Sequence, residues 1–197
     1  MTLDEYHQLA TRTVNDLGSS HKNETHMYLG LLSEMGEFLD TLKKHFAYGD
    51  SLDRVNLLEE LGDTAWFLVC FAKFLHVNLE ELDESTIRQD MIAHSEMYDD
   101  NRMEGDKESL TIDYFLSITE AFERIYKRDG THKRDFILLF HLMFQYLYGI
   151  AMIWEVDMHV AYQRNIQKLS VRYPNKFKKK DALNRNLKKE RQTLEKS

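Results

Sequence analysis

Two runs set the fold class: Leu29-Gly30-Leu31-Leu32-Ser33-Glu34-Met35-Gly36-Glu37-Phe38 and, beyond Tyr48-Gly49-Asp50-Ser51, Glu59-Glu60-Leu61-Gly62-Asp63-Thr64-Ala65-Trp66-Phe67. Around the first run, Tyr28, Leu31, Leu32, Met35, Leu39, Leu42 and Phe46 recur at helical spacing. That periodicity predicts a helix over 24–47 with one core-facing stripe. In the second, Thr64 to Leu75 is apolar on nearly every side, with Lys73 its one charged residue. This predicts a more deeply buried helix over 53–76. The short polar connection makes the two helices antiparallel neighbours.

The rest of the chain agrees with an all-α helical bundle. Its 197 residues contain one Pro, one Cys and eight Gly. One Pro argues against a turn-dense β fold, and the length suits a single domain over 1–197. Helices are expected over 3–17, ended by Gly18, and from Asn78, with Glu81 in a capping-box position, to about Met97. A polar loop over 98–109 follows, then helices over 111–128, 134–155 and 158–172. Pro174 interrupts, and 181–195 reads as a basic terminal helix. Phe136 to Trp154 carries no formal charge over 19 residues, close to a bilayer-spanning length. It also holds His141, Gln145, Tyr146 and Tyr148 and stands alone, so a bundle-core helix and no membrane association are expected. The start, Met1-Thr2-Leu3-Asp4-Glu5, lacks the order of a signal peptide, and a cytoplasmic location is expected. A single cysteine, Cys70, excludes an internal disulfide and a multi-cysteine zinc site.

The net charge of -7 argues against a nucleic-acid partner. Residues 1–160 carry 14 Lys/Arg against 30 Asp/Glu, whereas 161–197 carry 12 against 3. The acidic body and basic tail are either ordinary solvated surfaces or a cation site facing an anion site.

The sharpest chemistry lies in four carboxylates. Glu34 and Glu37 share one face of the first helix, and Glu60 and Asp63 share one face of the second. A solvated acidic face is the usual meaning of such pairs. Here the helical wheel sets Glu34 and Glu37 between the core stripe and the exposed Ser33, Asp40 and Lys44. Glu60 and Asp63 take the angular position of Phe67 and Phe74. Carboxylates at the margin of a core repel one another and lose hydration, which calls for a cation. Hard oxygens suit Mg²⁺, with Mn²⁺ as a substitute. In the basic region, Asn165, Lys168 and Arg172 follow helical spacing and line one face, as a phosphate clamp or as an ordinary surface helix. Acids, a cation and a basic clamp together suit a nucleoside triphosphate. No Gly-x-x-x-x-Gly-Lys-Ser/Thr loop occurs. Nor does the pair of Glu-x-x-His motifs of a di-iron bundle.

These residues resemble the MazG-like nucleotide pyrophosphohydrolases of the all-α NTP pyrophosphatase superfamily, to which dimeric dUTPases also belong. The resemblance rests on the two runs quoted above and on Asn165-Ile166-Gln167-Lys168-Leu169 through Arg172-Tyr173, similar to the family's later Asn-x-x-Lys-Leu motif. It implies Mg²⁺ held by Glu34, Glu37, Glu60 and Asp63, with Glu34 as general base. It also implies substrate binding by Asn165, Lys168, Arg172 and Tyr173. The implied reaction is hydrolysis of a nucleoside or deoxynucleoside triphosphate to the monophosphate and pyrophosphate. A dUTPase-type dUTP/dUDP hydrolase and a non-catalytic nucleotide-binding module are the alternatives. Trp66 or Tyr173 could stack on the base, and a homodimer fits the exposed Leu29.

One departure stands out. Short MazG-like chains place the Asn-x-x-Lys motif soon after the acids, but about 100 residues separate Asp63 from Asn165. His76-Val77-Asn78-Leu79 is similar to Glu155-Val156-Asp157-Met158, 79 residues on. At that spacing Asn165, Lys168 and Arg172 fall on Thr86, Gln89 and Ala93, while Glu60 and Asp63 fall on Leu139 and Leu142. Two degenerate four-helix units, a metal-binding half over 1–100 and a clamp half over 109–197, account for this. Chance similarity between helical hairpins gives the same pattern.

Overall fold

The computed structural model describes residues 1–96, 107–128, 132, 135–173 and 186–195. All regular structure among them is helical. The α-helices are α1 (Leu3–Ala10), α2 (Ser20–Tyr48), α3 (Arg54–Leu75), α4 (Glu84–Glu96), α5 (Lys107–Lys127), α6 (Phe136–Ile153), α7 (Met158–Arg172) and α8 (Leu187–Glu195).

Local chemistry explains the boundaries. The helix expected over 3–17 stops at Ala10 and passes into a 3₁₀ turn over Thr11–Thr13. The Thr11 and Thr13 hydroxyls bond back to the carbonyls of His7 (2.9 Å) and Ala10 (2.7 Å), and Val14 is extended. Gly18, at φ +83°, therefore lies in the connection and caps no helix. Helix α2 starts before residue 24 because Ser19 caps it, accepting from the Lys22 N–H. Asn78 caps only a 3₁₀ turn, Leu79–Glu81. Leu82 is extended, and Asp83 begins α4 instead, accepting from the Ser85 N–H at 2.9 Å and the Thr86 hydroxyl at 2.8 Å. Helix α5 starts at Lys107, inside the expected polar loop, and residues 98–106 of that loop lie outside the described residues. Helix α6 is shorter than 134–155, α7 runs as expected, and of the terminal helix 187–195 is described.

Helices α2 and α3 form an antiparallel hairpin, with Gly30 against Phe67 near one end and Thr41 bonded to Asn56 (2.6 Å) near the other. A Cβ on Gly30 would lie 2.0 Å from the Phe67 ring, so only glycine fits beneath it. Helices α5 and α6 pair likewise, and α2 also packs on α5 through Phe38–Phe115 and Tyr28–Phe122. That double packing turns Phe38 fully inward, whereas Leu32 (40 % exposed) and Phe46 (74 %) leave the expected stripe. Helix α6, long and apolar enough to cross a membrane by composition, packs on α3, α4 and α5. Helix α7 crosses to α3, and α8 lies on α7 and α3.

Candidate metal centre

The hairpin register determines the site. Residues 34 and 63, and 37 and 60, fall opposite one another between the Gly30–Phe67 and Thr41–Asn56 contacts. Ligand oxygens of Glu34, Glu37 and Glu60 all lie within 4.8 Å of one another. Glu37 is exposed, Glu34 half-buried, and Glu60 buried. Asp63, one turn further along α3, is directed at α7. Its two oxygens accept from the Asn165 amide and the Lys168 ammonium. Lys168 also donates to Glu59 Oε1 at 3.0 Å.

Electrostatics follows from this crowding. Burial and the Asp63 charge lift the Glu34 carboxyl to about 7, against a hydrogen bond with Glu60 that lowers it. Burial, Asp63 and Glu34 together lift Glu60 to about 10. Burial works against the Lys168 ammonium, but Asp63 and Glu59 outweigh it and hold its pKa above the ordinary value. Among the described residues Lys168 is the one fully buried cation, set against five carboxylates at 34, 37, 59, 60 and 63. The arrangement remains rich in hard anionic oxygen, which is the donor chemistry of a divalent cation.

The α3–α7 contact brings Asn165 and Lys168 to the acids from 102 and 105 residues away. It depends on Gly62, whose absent Cβ would sit 3.0 Å from both the Ala161 carbonyl oxygen and Asn165 Cβ. Arg172 lies one turn beyond Lys168. Its Nε and Nη2 donate to Glu190 of α8 at 3.2 and 2.6 Å, and its guanidinium lies 6.0 Å from the centre of the Tyr173 ring. Trp66 donates to the Thr13 hydroxyl (3.0 Å) and to the Ala10 carbonyl, which ties α3 to the turn after α1.

Three contributors are absent from the sequence-based set. Glu59 stood in the quoted run, and its i,i+4 relation to Asp63 was the available signal. Glu190 carried no local signal. Tyr6, in α1, is fully buried with its hydroxyl 2.8 Å from Asn165 Oδ1 and 2.9 Å from the Gly62 carbonyl oxygen.

Comparison with known proteins bears on this hairpin. Residues 22–88 match the family model of the MazG nucleotide pyrophosphohydrolase domain. That stretch holds the carboxylates of α2 and α3, and the family generally uses a divalent metal. Neither the curated proteins nor the solved structures gave a significant match.

Proposed function

Because residues 22–88 match the family model of the MazG nucleotide pyrophosphohydrolase domain, we propose that the chain hydrolyses a nucleoside or deoxynucleoside triphosphate to the monophosphate and pyrophosphate with Mg²⁺. The observation that carries this reading is the meeting of Glu34, Glu37 and Glu60 within 4.8 Å beside an Asp63 held by Lys168. Glu34, Glu37, Glu60 and Asp63 would hold the cation. When bound, it supplies neutralising charge and Lewis acidity toward phosphate oxygens. Water attacks the α- or the β-phosphorus, a new P–O bond forms as the bridging P–O bond breaks, and the bridging oxygen departs with pyrophosphate or with the monophosphate respectively. Glu34, half-buried between the exposed Glu37 and the buried Glu60, takes the proton of that water. Asn165 and Lys168 hold and aim the Asp63 carboxylate, and the buried Lys168 ammonium offsets part of the negative charge of the cluster. Arg172 and Tyr173, partly exposed at the end of α7, border the triphosphate.

On this reading 1–100 supplies the acids, 109–197 supplies the clamp, and two degenerate copies of one unit share a single site. A panel of NTPs and dNTPs, including dUTP and dUDP, tests the activity through pyrophosphate or phosphate release with Mg²⁺. Monophosphate and pyrophosphate from one or several triphosphates support it. Turnover of dUTP and dUDP alone assigns the dUTPase-type alternative. Tight nucleotide binding with no turnover overturns catalysis in favour of a binding module.

A further inference from the structure

Helix α1 lies outside the stretch that matches the family model, yet it reaches the site. Its first turn is fastened from two sides. The Leu3 N–H donates to Glu84 Oε2 at 3.0 Å, and His159 Nδ1 lies 2.8 Å from the Met1 carbonyl oxygen. The Tyr6 ring stacks on Tyr162 with centroids 4.5 Å apart and planes 15° from parallel. Tyr162 in turn bonds to Tyr148 (3.3 Å), and Tyr148 donates to Glu84. The ring is therefore fixed, and its hydroxyl falls between two acceptors, Asn165 Oδ1 and the Gly62 carbonyl oxygen. Both acceptors neighbour Asp63, one through the α3 backbone and one across the α3–α7 contact.

We propose that Tyr6 is a positioning residue for the metal centre, acting through Asn165 on Asp63. The chemistry is directional. With Oδ1 engaged by the phenol, the Asn165 amide presents Nδ2 to the Asp63 carboxylate. Turned the other way, it would set one acceptor against another. A donor on Oδ1 also polarises the amide and strengthens the N–H that holds Asp63. Burial raises the Tyr6 phenol well above its ordinary pKa, so it remains a neutral donor across the working range. Partners of this kind set how metal ligands are oriented.

The metal-binding arm of the test does not require turnover. Mg²⁺ is titrated calorimetrically into the full-length wild type, Tyr6→Phe, Asn165→Ala, the double variant and Tyr162→Phe. Tyr6→Phe keeps the stacked ring and is expected to weaken Mg²⁺ binding about tenfold. The double variant is expected to bind no more weakly than Asn165→Ala, because both act through one link. Tyr162→Phe removes a buried hydroxyl from the same stack without touching Asn165 and is expected to leave Mg²⁺ affinity unchanged. The kinetic arm rests on the proposed hydrolysis, with kcat/KM falling about tenfold in Tyr6→Phe. Wild-type Mg²⁺ affinity in Tyr6→Phe, losses that multiply in the double variant, or a loss of folding common to Tyr6→Phe and Tyr162→Phe would each overturn the positioning role. Absence of turnover in every protein, with the Mg²⁺ differences intact, would overturn the hydrolase reading and leave the positioning role standing.

Discussion

Helix α3 leaves its last turn through His76 at φ 55°, and α6 leaves through Glu155 at φ 55°, 79 residues on. At the same spacing α2 ends at Gly49 (φ 74°) and α5 ends at Arg128 (φ 58°). The Val77 N–H bonds the Ala72 carbonyl at 3.0 Å, and the Val156 N–H bonds the Ala151 carbonyl at 2.8 Å. Asn78 and Asp157 then each cap the next turn through the N–H two residues ahead. Leu57, Leu61, Leu68, Ala72 and Leu75 are buried along α3, as Phe136, Phe140, Leu147 and Ala151 are along α6 and Trp154 is just past its end. These recurrences support the reading of two degenerate copies. The contrast lies in what the matching positions carry. Glu60 and Leu139 are equally buried, each 4 % exposed. A leucine at that depth stabilises by leaving water. A carboxylate at that depth costs free energy until a proton or a cation compensates it. Matching helix ends thus carry a packed leucine in one hairpin and a carboxylate of the candidate metal centre in the other.

The largest expected effect comes from making the hairpins alike. Glu60→Leu installs the α6 residue in α3. Pyrophosphate release should fall more than about a hundredfold, the scale reached when a metal site loses even an outer partner. The metal-free protein should become more stable, because leucine leaves no buried carboxyl to desolvate. Activity assays and thermal unfolding in chelator check both. Retained turnover would remove Glu60 from the centre.

The clamp positions differ as sharply. Lys168 is fully buried against Glu59 and Asp63, whereas its counterpart Gln89 is exposed on α4. Lys168→Met leaves two carboxylates without their counter-charge and should cost about 3–5 kcal/mol. Gln89→Met should change stability by less than about 0.5 kcal/mol. Denaturant unfolding of the two variants side by side measures the difference, and equal effects would refute the asymmetry.

A smaller effect depends on pH. Glu34 is lifted to about 7 and Glu60 to about 10, both above the 4.5 of a free glutamate. Each carboxyl holds its proton more tightly in the folded chain than in the unfolded one. Its contribution is fully present below pH 4.5 and is lost as pH rises through the folded values. In chelator, Tm should therefore fall between pH 5 and pH 9. Mg²⁺ should restore it most at the alkaline end, where the cation no longer competes with protons. The Glu34→Gln, Glu60→Gln variant should lose most of this slope, and an unchanged slope would place its origin elsewhere.

Much of this was legible before the structure, and the reason is periodicity. The approach of Glu34, Glu37 and Glu60 could be read because i,i+3 spacing and a short hairpin loop are local facts, whereas the pairing of Asp63 with Asn165 and Lys168 is a tertiary contact. Helix α7 was legible over 158–172 for the same reason. Tyr6 and Glu190 were not, because each acts only across a tertiary contact, and α1 and α8 look like ordinary amphipathic helices. The start of α4 was misread because Asn78…Glu81 and Asp83…Thr86 are both capping signals, and only the extended backbone at Leu82 separates them. Leu32 and Phe46 were placed inward because a single stripe assumes one partner, whereas α2 has two, α3 and α5.

The smallest expected effect tests how closely α3 is bound to its functional load. Thr64, next to Asp63, is fully buried, and among the described residues its hydroxyl has no hydrogen-bond partner. The matching residue of α6 is Met143, equally buried and apolar. An unpaired buried hydroxyl costs about 1–3 kcal/mol, so Thr64→Val, of the same shape, should stabilise by about 1 kcal/mol. For a chain of this size that raises Tm by about 2–4 °C. If turnover is unchanged, Thr64 belongs to the packing that both hairpins share. If stability rises while turnover falls, the hydroxyl serves the site, and the functional face of α3 is wider than its two acids.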